Sequence, residues 1–134
     1  MEIYGSCIMT NHIHLICRAK EGFQLSGILR DFKRHTAKNI LQSMQDESES
    51  RQEWLLSLFE EAGSKNRKNK KFQIWRQDNH PVEIYSAELF KQKLNYIHNN
   101  PVEEGFVSVP EDYLYSSARN YSDRATVMEI DYNW

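Results

Sequence analysis

Two histidines separated by one residue lie in an apolar run near the start of the chain, in the segment Met-Thr-Asn-His-Ile-His-Leu-Ile at residues 9–16. Such a run is typical of a β-strand, in which successive side chains point to opposite faces of the sheet. His12 and His14 are therefore expected on one face, as a site, and Ile13 and Leu15 on the other, as core. Two neutral imidazoles with this spacing can bind one divalent metal ion when a third ligand comes from elsewhere, but they can also be acid–base groups or plain hydrogen-bonding partners.

The composition is that of one globular domain. The chain has 134 residues, of which 40% are hydrophobic and 27% are charged, so it is long enough for a single core. No stretch approaches the length of an apolar membrane span, and the N-terminus lacks the pattern of a secretory leader, so we expect a cytoplasmic protein. Cys7 and Cys17 share strand parity with Ile13 and Leu15, which favours two buried free thiols over a disulfide.

The net charge of −2 hides an asymmetry along the chain. Basic residues predominate at 18–38, and 65–76 contains six of them and no acid, whereas seven acidic residues and only two basic ones follow position 102. One side of the molecule is therefore predicted to bind phosphate groups, and the other to be a solvating surface. For the basic stripe within the first segment, a plain solvated helix face is the competing interpretation.

The first part of the chain predicts a hairpin followed by a helix. Residues 2–9 and 12–17 favour two antiparallel strands joined by a short turn. Apolar residues at helical spacing between Leu25 and Leu41 predict a helix of about 18 residues with Ser26 as its N-cap.

The middle of the chain predicts an insertion at 45–71 that contains a short amphipathic helix at 53–62. Residues 72–75 alternate apolar and polar side chains, which predicts a strand that pairs into the sheet. A loosely packed tail is expected after residue 122.

A further helix is predicted at 86–100. Ser86 is a suitable N-cap, and Pro101 disfavours helical geometry at the residue before it, so the helix should end at Asn100. Tyr96 and Asn100 are four residues apart and share one helix face. Each has a plain interpretation, the tyrosine as a half-buried packing residue and the asparagine as a helix terminator before proline.

Together, these groups form a set with a chemical rationale. A tyrosine hydroxyl that attacks a phosphodiester needs a cation to stabilise the charge that develops on the non-bridging oxygens. Two histidines and an amide oxygen would leave positions open on Mg²⁺ or Mn²⁺ for a phosphate oxygen. The basic segments would hold the flanking strand.

Three segments together resemble REP-associated tyrosine transposases, which belong to the wider single-tyrosine HUH transposases of the insertion-sequence type. They are residues 8–16 (Ile-Met-Thr-Asn-His-Ile-His-Leu-Ile), residues 96–102 (Tyr-Ile-His-Asn-Asn-Pro-Val) with Gly105 and Val107 following, and residues 113–117 (Tyr-Leu-Tyr-Ser-Ser). The resemblance implies an α+β fold of the ferredoxin-like type, in which helices pack on an antiparallel sheet. It also implies cleavage and rejoining of single-stranded DNA at hairpin sites.

The resemblance assigns roles by position. His12 and His14 match the metal-binding pair, and Tyr96 matches the nucleophile that becomes linked to a DNA 5′-phosphate. Asn100 falls where the family has its third ligand to Mg²⁺ or Mn²⁺. The side chains expected to bind DNA are Arg30, Lys33, Arg34, Lys38, Lys68, Lys70 and Lys71.

The chain departs from the family pattern in two places. Thr10 stands where the family usually has proline, and Met1 falls almost at the hairpin, whereas family members usually have a strand and a helix before it. Loss of these elements would expose a sheet edge, which predicts a homodimer. A competing hypothesis is a catalytically inactive, truncated or domesticated transposase that binds hairpin DNA. A third is a hydrolase of a small phosphoester, for which the sequence offers no water-activating base.

Overall fold

The structure is a computed structural model that describes residues 1–46, 51–66, 71–77 and 79–134. It confirms the predicted α+β class, with an antiparallel sheet and helices. The elements are strands β1 (Glu2–Ile8) and β2 (Ile13–Arg18), helices α1 (Leu25–Asp46), α2 (Gln52–Ser64) and α3 (Ala87–Glu103), and short 3-10 helices at Pro110–Asp112 and Ser117–Ser122.

The elements form two compact units. The first consists of residues 1–25 and 82–134 and contains the sheet and α3, and the second consists of residues 26–81 and contains α2 and nearly all of α1. The first unit has six basic and eleven acidic residues, a net charge of −5, and the second has eleven basic and eight acidic residues, a net charge of +3. The predicted charge asymmetry therefore coincides with a division of the fold.

The predicted hairpin is confirmed, and its register corrects one expectation. Cys7 lies directly opposite His14, and directly opposed residues point to the same face of a sheet. Cys7 is therefore on the histidine face and not on the face of Ile13 and Leu15, because the register of the hairpin, and not the parity of residue numbers, decides which side chains share a face. Both cysteines are free, as expected, although Cys17 is only half-buried.

Helix α3 packs on the histidine face of the hairpin. Gly5 lies so close beneath the helix that a Cβ atom on it would be 2.6 Å from Cδ1 of Leu94 and 3.2 Å from Cδ1 of Ile97. These side chains belong to the buried cluster of the first unit, with Tyr4 and Ile16. The expectation that one sheet face would be core and the other a site is therefore wrong, since core and histidines share one face.

The edge of β1 that faces away from β2 is covered by residues from the C-terminal part of the chain. Ile8 N donates to Tyr115 O at 2.9 Å, and Asp131 N donates to Ile3 O at 2.7 Å. Trp134 stacks on Phe90 of α3, with ring centroids 4.8 Å apart. These contacts tie the end of the chain to the sheet and to α3.

Two helix boundaries differ from the prediction. α1 begins at Leu25, so Ser26 lies inside it and is not the N-cap. Ser86 does cap α3, since its Oγ accepts a hydrogen bond from Leu89 N at 3.2 Å. α3 continues through Pro101 to Glu103, because proline removes one backbone donor but the following turn is still closed by Glu104 N donating to Asn100 O.

Residues 72–75 are not a strand, contrary to the prediction. In the second unit, Gln73 N donates to Phe59 O at 2.9 Å, and Trp75 Nε1 donates to Oγ1 of Thr36 at 2.9 Å. The Trp75 ring also packs against Phe32, with centroids 5.9 Å apart. The alternating pattern thus reflects an extended segment that buries its apolar side chains against helices rather than against a sheet.

Candidate active site

His12 and His14 face each other at the start of β2. Their Nε2 atoms are 3.1 Å apart, and Nδ1 of His12 is 2.6 Å from Oδ1 of Asn11. An amide oxygen only accepts hydrogen bonds, so Nδ1 of His12 carries a proton and the Nε2 of the neutral ring keeps its lone pair. In the chain without metal, Nε2 of His14 is then the donor in this contact, and a metal ion bound by the two Nε2 atoms would replace that proton. A partner on the far nitrogen is what orients a metal-binding histidine.

His14 is held in its neutral form. Burial, and secondarily the charge of His12, lowers the pKa of His14 below its ordinary value. The neutral imidazole is the form that binds a metal ion or accepts a proton. His14 is therefore ready for either role at neutral pH.

Tyr96 of α3 lies beside this pair. Its ring meets the His14 ring edge to face, with centroids 5.5 Å apart and an interplanar angle of 77°. The side chain is 50% exposed, so its ring contacts the histidine while a large ligand can still reach it. α3 and β2 thus bring together three of the four residues that the sequence assigns to the reaction.

Asn100 lies one helical turn after Tyr96 and is buried, with 8% of its surface exposed. Among the described residues, its Oδ1 is the one buried side-chain oxygen or nitrogen without a hydrogen-bond partner. A buried amide oxygen without a partner costs about 1–3 kcal/mol. Its neighbour Asn99 is exposed, so of the two adjacent asparagines only Asn100 is buried.

The donor set suits a divalent metal ion. Two nitrogen ligands at right angles and about 2.1 Å from one ion lie roughly 3 Å apart, close to the separation of the two Nε2 atoms. Two imidazoles favour Mn²⁺ over Mg²⁺, because Mg²⁺ prefers oxygen ligands. In the part of the chain that the structure describes, no group of three or more His, Cys, Asp or Glu side chains offers another metal site.

His98 is a buried polar residue that the sequence reasoning missed. It is 8% exposed, and its Nε2 lies 2.8 Å from Oγ of Ser117, which also accepts a hydrogen bond from Ser6 N. Burial lowers the pKa of His98 to about 4. The signal for this position was available, since Leu94, Ile97, His98 and Pro101 follow the i, i+3, i+4, i+7 spacing of the buried stripe of α3.

The basic side chains assigned to DNA binding have varied surroundings in the second unit. Arg30 and Arg34 both pair with Asp31 at 3.2 Å on the surface of α1, and Lys38 is exposed. Lys33 instead donates to Arg76 O at 2.8 Å and to Oδ1 of Asn79 at 2.7 Å.

The remaining three basic candidates belong to the segment after α2. Lys71 is exposed, with its Nζ 4.9 Å from the centroid of the Phe72 ring. Lys68 and Lys70 lie outside the described residues.

Comparison with known proteins gives one match. A family model described as "Transposase IS200 like" matches residues 1–62, somewhat less than half of the chain. The matched segment contains His12 and His14 and ends before Tyr96 and Asn100. No curated protein and no solved structure matches the chain significantly. Of the described helices, none is both long and apolar enough to cross a bilayer. The family match supports a relationship to the IS200-like transposases for the part of the chain that carries the histidine pair.

Proposed function

We propose that the protein is a transposase of the REP-associated tyrosine type, which cleaves and rejoins single-stranded DNA at hairpin sequences with Tyr96 as its nucleophile. The observation that carries this proposal is the edge-to-face contact between Tyr96 and His14. It sets a half-exposed phenol beside an imidazole pair that suits a metal ion. The family match at residues 1–62 supports the general class.

The reaction is an exchange of one phosphoester for another. The Tyr96 oxygen forms a bond to the scissile phosphorus, and the bond between that phosphorus and the 3′ oxygen of the preceding nucleotide breaks with its electron pair. The phenol proton passes to solvent and the leaving 3′ oxygen takes up a proton from solvent, so the products are a 5′-phosphotyrosine and a strand with a free 3′-hydroxyl. Attack of a 3′-hydroxyl on the phosphotyrosine reverses these bond changes and rejoins the DNA.

The chain's own residues prepare this step. His12, His14 and Asn100 would hold the metal ion, which when bound supplies charge stabilisation at a non-bridging phosphate oxygen. Asn11 fixes the tautomer of His12. Neutral His14 is close enough to the Tyr96 ring to orient the phenol. In the second unit, Arg30, Arg34, Lys38 and Lys71 would supply contacts to the DNA backbone, with Lys68 and Lys70 of the same basic segment.

The test is formation of a covalent adduct. The protein is incubated with Mn²⁺ and single-stranded DNA that folds into a hairpin with labelled flanks, and adducts are resolved on a denaturing gel. We expect a labelled protein band that Tyr96→Phe abolishes. Tyr85→Phe is the matched control, since Tyr85 is 83% exposed just before α3, and it should keep the band. The absence of any adduct with a panel of hairpins would contradict the proposal.

A second candidate function is hairpin binding without cleavage. It is favoured by the extent of the family match, which stops before the residues assigned as nucleophile and third ligand. In that case hairpin binding would fall steeply with salt, would not depend on Mn²⁺, and would produce no adduct. The gel assay and a binding titration with a chelator therefore separate the two functions.

A further inference from the structure

We propose that the second unit contains a binding cleft for a phosphate group and the adjacent base of an unpaired DNA strand. This inference rests on the proposed function and assigns the substrate a site outside the first unit. The cleft has a volume of about 570 Å³, within the range of roughly 300–1,000 Å³ found for ligand sites. Its lining consists of Ala62, Lys65, Asn66, Gln73, Arg76, Gln77 and His80. None of these described lining residues has a carboxylate side chain.

The cationic side of the cleft is formed by three residues with nitrogen donors. Arg76 and His80 are exposed and, within the described residues, their side chains make no hydrogen bond or ion pair. Lys65 contributes a third donor, although its Nζ is 2.6 Å from Oε1 of Glu61 and is partly neutralised. A guanidinium presents a fork of donors that matches two phosphate oxygens, so Arg76 is the principal phosphate ligand.

Arg76 and Asn79 are both held by a side chain of α1. Nζ of Lys33 donates to Arg76 O at 2.8 Å and to Oδ1 of Asn79 at 2.7 Å. Trp75 is anchored beside Arg76 by the hydrogen bond from Nε1 to Thr36. Little conformational entropy of the protein is therefore lost on this side of the cleft when a ligand binds. Lys33, which the sequence assigned to DNA contact, is in the structure a positioning residue.

Side-chain amides form the rest of the polar lining. Nδ2 of Asn66 donates to Oε1 of Gln73 at 3.0 Å, which gives the wall a fixed orientation. Gln77 is exposed beside Arg76, with a donor and an acceptor on one planar group. Amide groups of this kind can pair with the Watson–Crick edges of bases, and those edges are accessible only when a strand is unpaired.

The charge of the second unit supports an anionic ligand. The unit carries a net charge of +3, while the unit with the candidate active site carries −5. A polyanion is therefore attracted to the second unit before any specific contact is made. A strand held there would supply affinity that the acidic first unit does not.

The experiment is an NMR titration of the full chain carrying Tyr96→Phe, so that binding is measured whether or not the protein cleaves DNA. The probes are a single-stranded DNA pentamer without self-complementarity, the same sequence as a duplex, and inorganic phosphate. We expect saturable shifts of the His80 imidazole and Gln77 amide signals with the pentamer, at least tenfold weaker binding of the duplex, and only weak binding of phosphate alone. Equal binding of phosphate and pentamer would mean a simple anion site and would overturn the assignment to a DNA strand.

Three variants give the matched comparison. Arg76→Gln should weaken pentamer binding about tenfold and reduce the slope of log affinity against log salt by about 0.7, the value for one lost single-strand phosphate contact. Lys33→Met should also weaken binding but leave that slope unchanged, because Lys33 positions Arg76 without touching DNA. Lys20→Gln removes one exposed positive charge from the first unit and should change neither quantity.

Two results would overturn the inference. Arg76→Gln with unchanged affinity and slope would mean that the cleft is a solvated groove, and pentamer shifts confined to the first unit would mean that the DNA binds elsewhere. Both results are independent of the adduct assay. An adduct could form although the cleft binds no DNA, and the cleft could bind DNA in a protein that never forms an adduct.

Discussion

Asn100 has a buried side-chain oxygen without a hydrogen-bond partner in the described part of the chain, and it is the residue proposed as the third metal ligand. Such an oxygen costs stability in the metal-free protein. We therefore expect Asn100→Leu, which has a similar shape, to raise the free energy of unfolding without metal by about 1 kcal/mol. If Asn100 is the third ligand, as proposed, the same substitution should weaken Mn²⁺ binding at least tenfold.

Chemical denaturation and a Mn²⁺ titration measure these two effects of opposite sign. Asn99→Leu is the control, since Asn99 is exposed one position earlier, and it should leave metal affinity unchanged. Destabilisation by Asn100→Leu without metal would show that Oδ1 has a partner, and unchanged Mn²⁺ affinity would remove Asn100 from the ligand set.

His98 gives the fold a dependence on pH. Its pKa is lowered by burial to about 4 in the folded chain, against about 6.5 when unfolded, so the unfolded chain binds more protons between these values. Stability should be complete above pH 6.5 and fall as the pH drops towards 4. Once the pH is below about 4, this loss amounts to roughly 3 kcal/mol.

Urea denaturation at a series of pH values measures this loss. His98→Gln should remove the part of the dependence of the free energy of unfolding on pH that belongs to the imidazole. The assigned NMR signal of the His98 ring gives a direct check. A midpoint near pH 6.5 in the folded protein would contradict the burial of a neutral imidazole against Ser117.

At the residue scale, the sequence predicted which side chains lie together better than it predicted how deeply they are buried. The pairing of His12 with His14 follows from strand alternation alone, and a tyrosine on the following helix completes a recognisable set. The burial of Asn100 and His98 does not follow from alternation, because it depends on where α3 crosses the hairpin. The backbone hydrogen bonds that cover β1 depend in the same way on residues more than 100 positions away.

The element that sets the site geometry is α3, and Gly5 sets how closely it approaches β1. A Cβ at position 5 would be only 2.6 Å from Cδ1 of Leu94. We expect Gly5→Ala to lower the free energy of unfolding by about 1–3 kcal/mol, as overpacking of a core does. It should also slow adduct formation, because Leu94 has to give way and any accompanying movement of α3 displaces Tyr96.

A double-mutant cycle with Leu94→Ala tests this contact, since the shortened side chain makes room and Gly5→Ala should then carry little further cost. Gly27→Ala is the control in α1, where a Cβ would meet nothing within 4 Å. That substitution should stabilise the helix by about 0.5–1 kcal/mol. Additive effects of Gly5→Ala and Leu94→Ala would mean that the two positions do not meet.

Helical periodicity predicted the helices, and local rules misplaced their ends. The stripe of α3 is regular enough to identify the helix, but the rule that proline ends a helix failed because the turn after Pro101 finds other donors. Residues 72–75 show the converse problem. Alternation indicates an extended chain with one apolar side, and it cannot distinguish a strand partner from the helices on which Phe72 and Trp75 lie.

At the scale of the whole molecule, charge and chemistry are divided between two compact units. The histidine pair, Tyr96 and Asn100 all lie in the acidic unit, whereas every basic side chain assigned to DNA lies in the basic one. An acidic environment around a metal site favours the cation but repels DNA. Binding of the DNA by the second unit would compensate for this repulsion, and the salt dependence of binding should then arise mainly from residues 26–81.

The remaining prediction concerns assembly. The chain covers one edge of β1 with its own C-terminal residues, but in the described ranges no strand pairs with the outer edge of β2, Ile13–Arg18. An unpaired edge offers backbone donors and acceptors to an identical edge across a twofold axis. We therefore expect a homodimer joined by antiparallel pairing of β2 with its copy, which would bring the two histidine pairs onto one continuous sheet. Light scattering coupled to gel filtration should give twice the chain mass of 15.9 kDa at micromolar concentration. Leu15→Pro removes one backbone donor of β2 and should shift the mass to that of the monomer if the outer edge of β2 forms the dimer contact. A monomer of the unaltered chain at all concentrations would show that this edge is left to solvent.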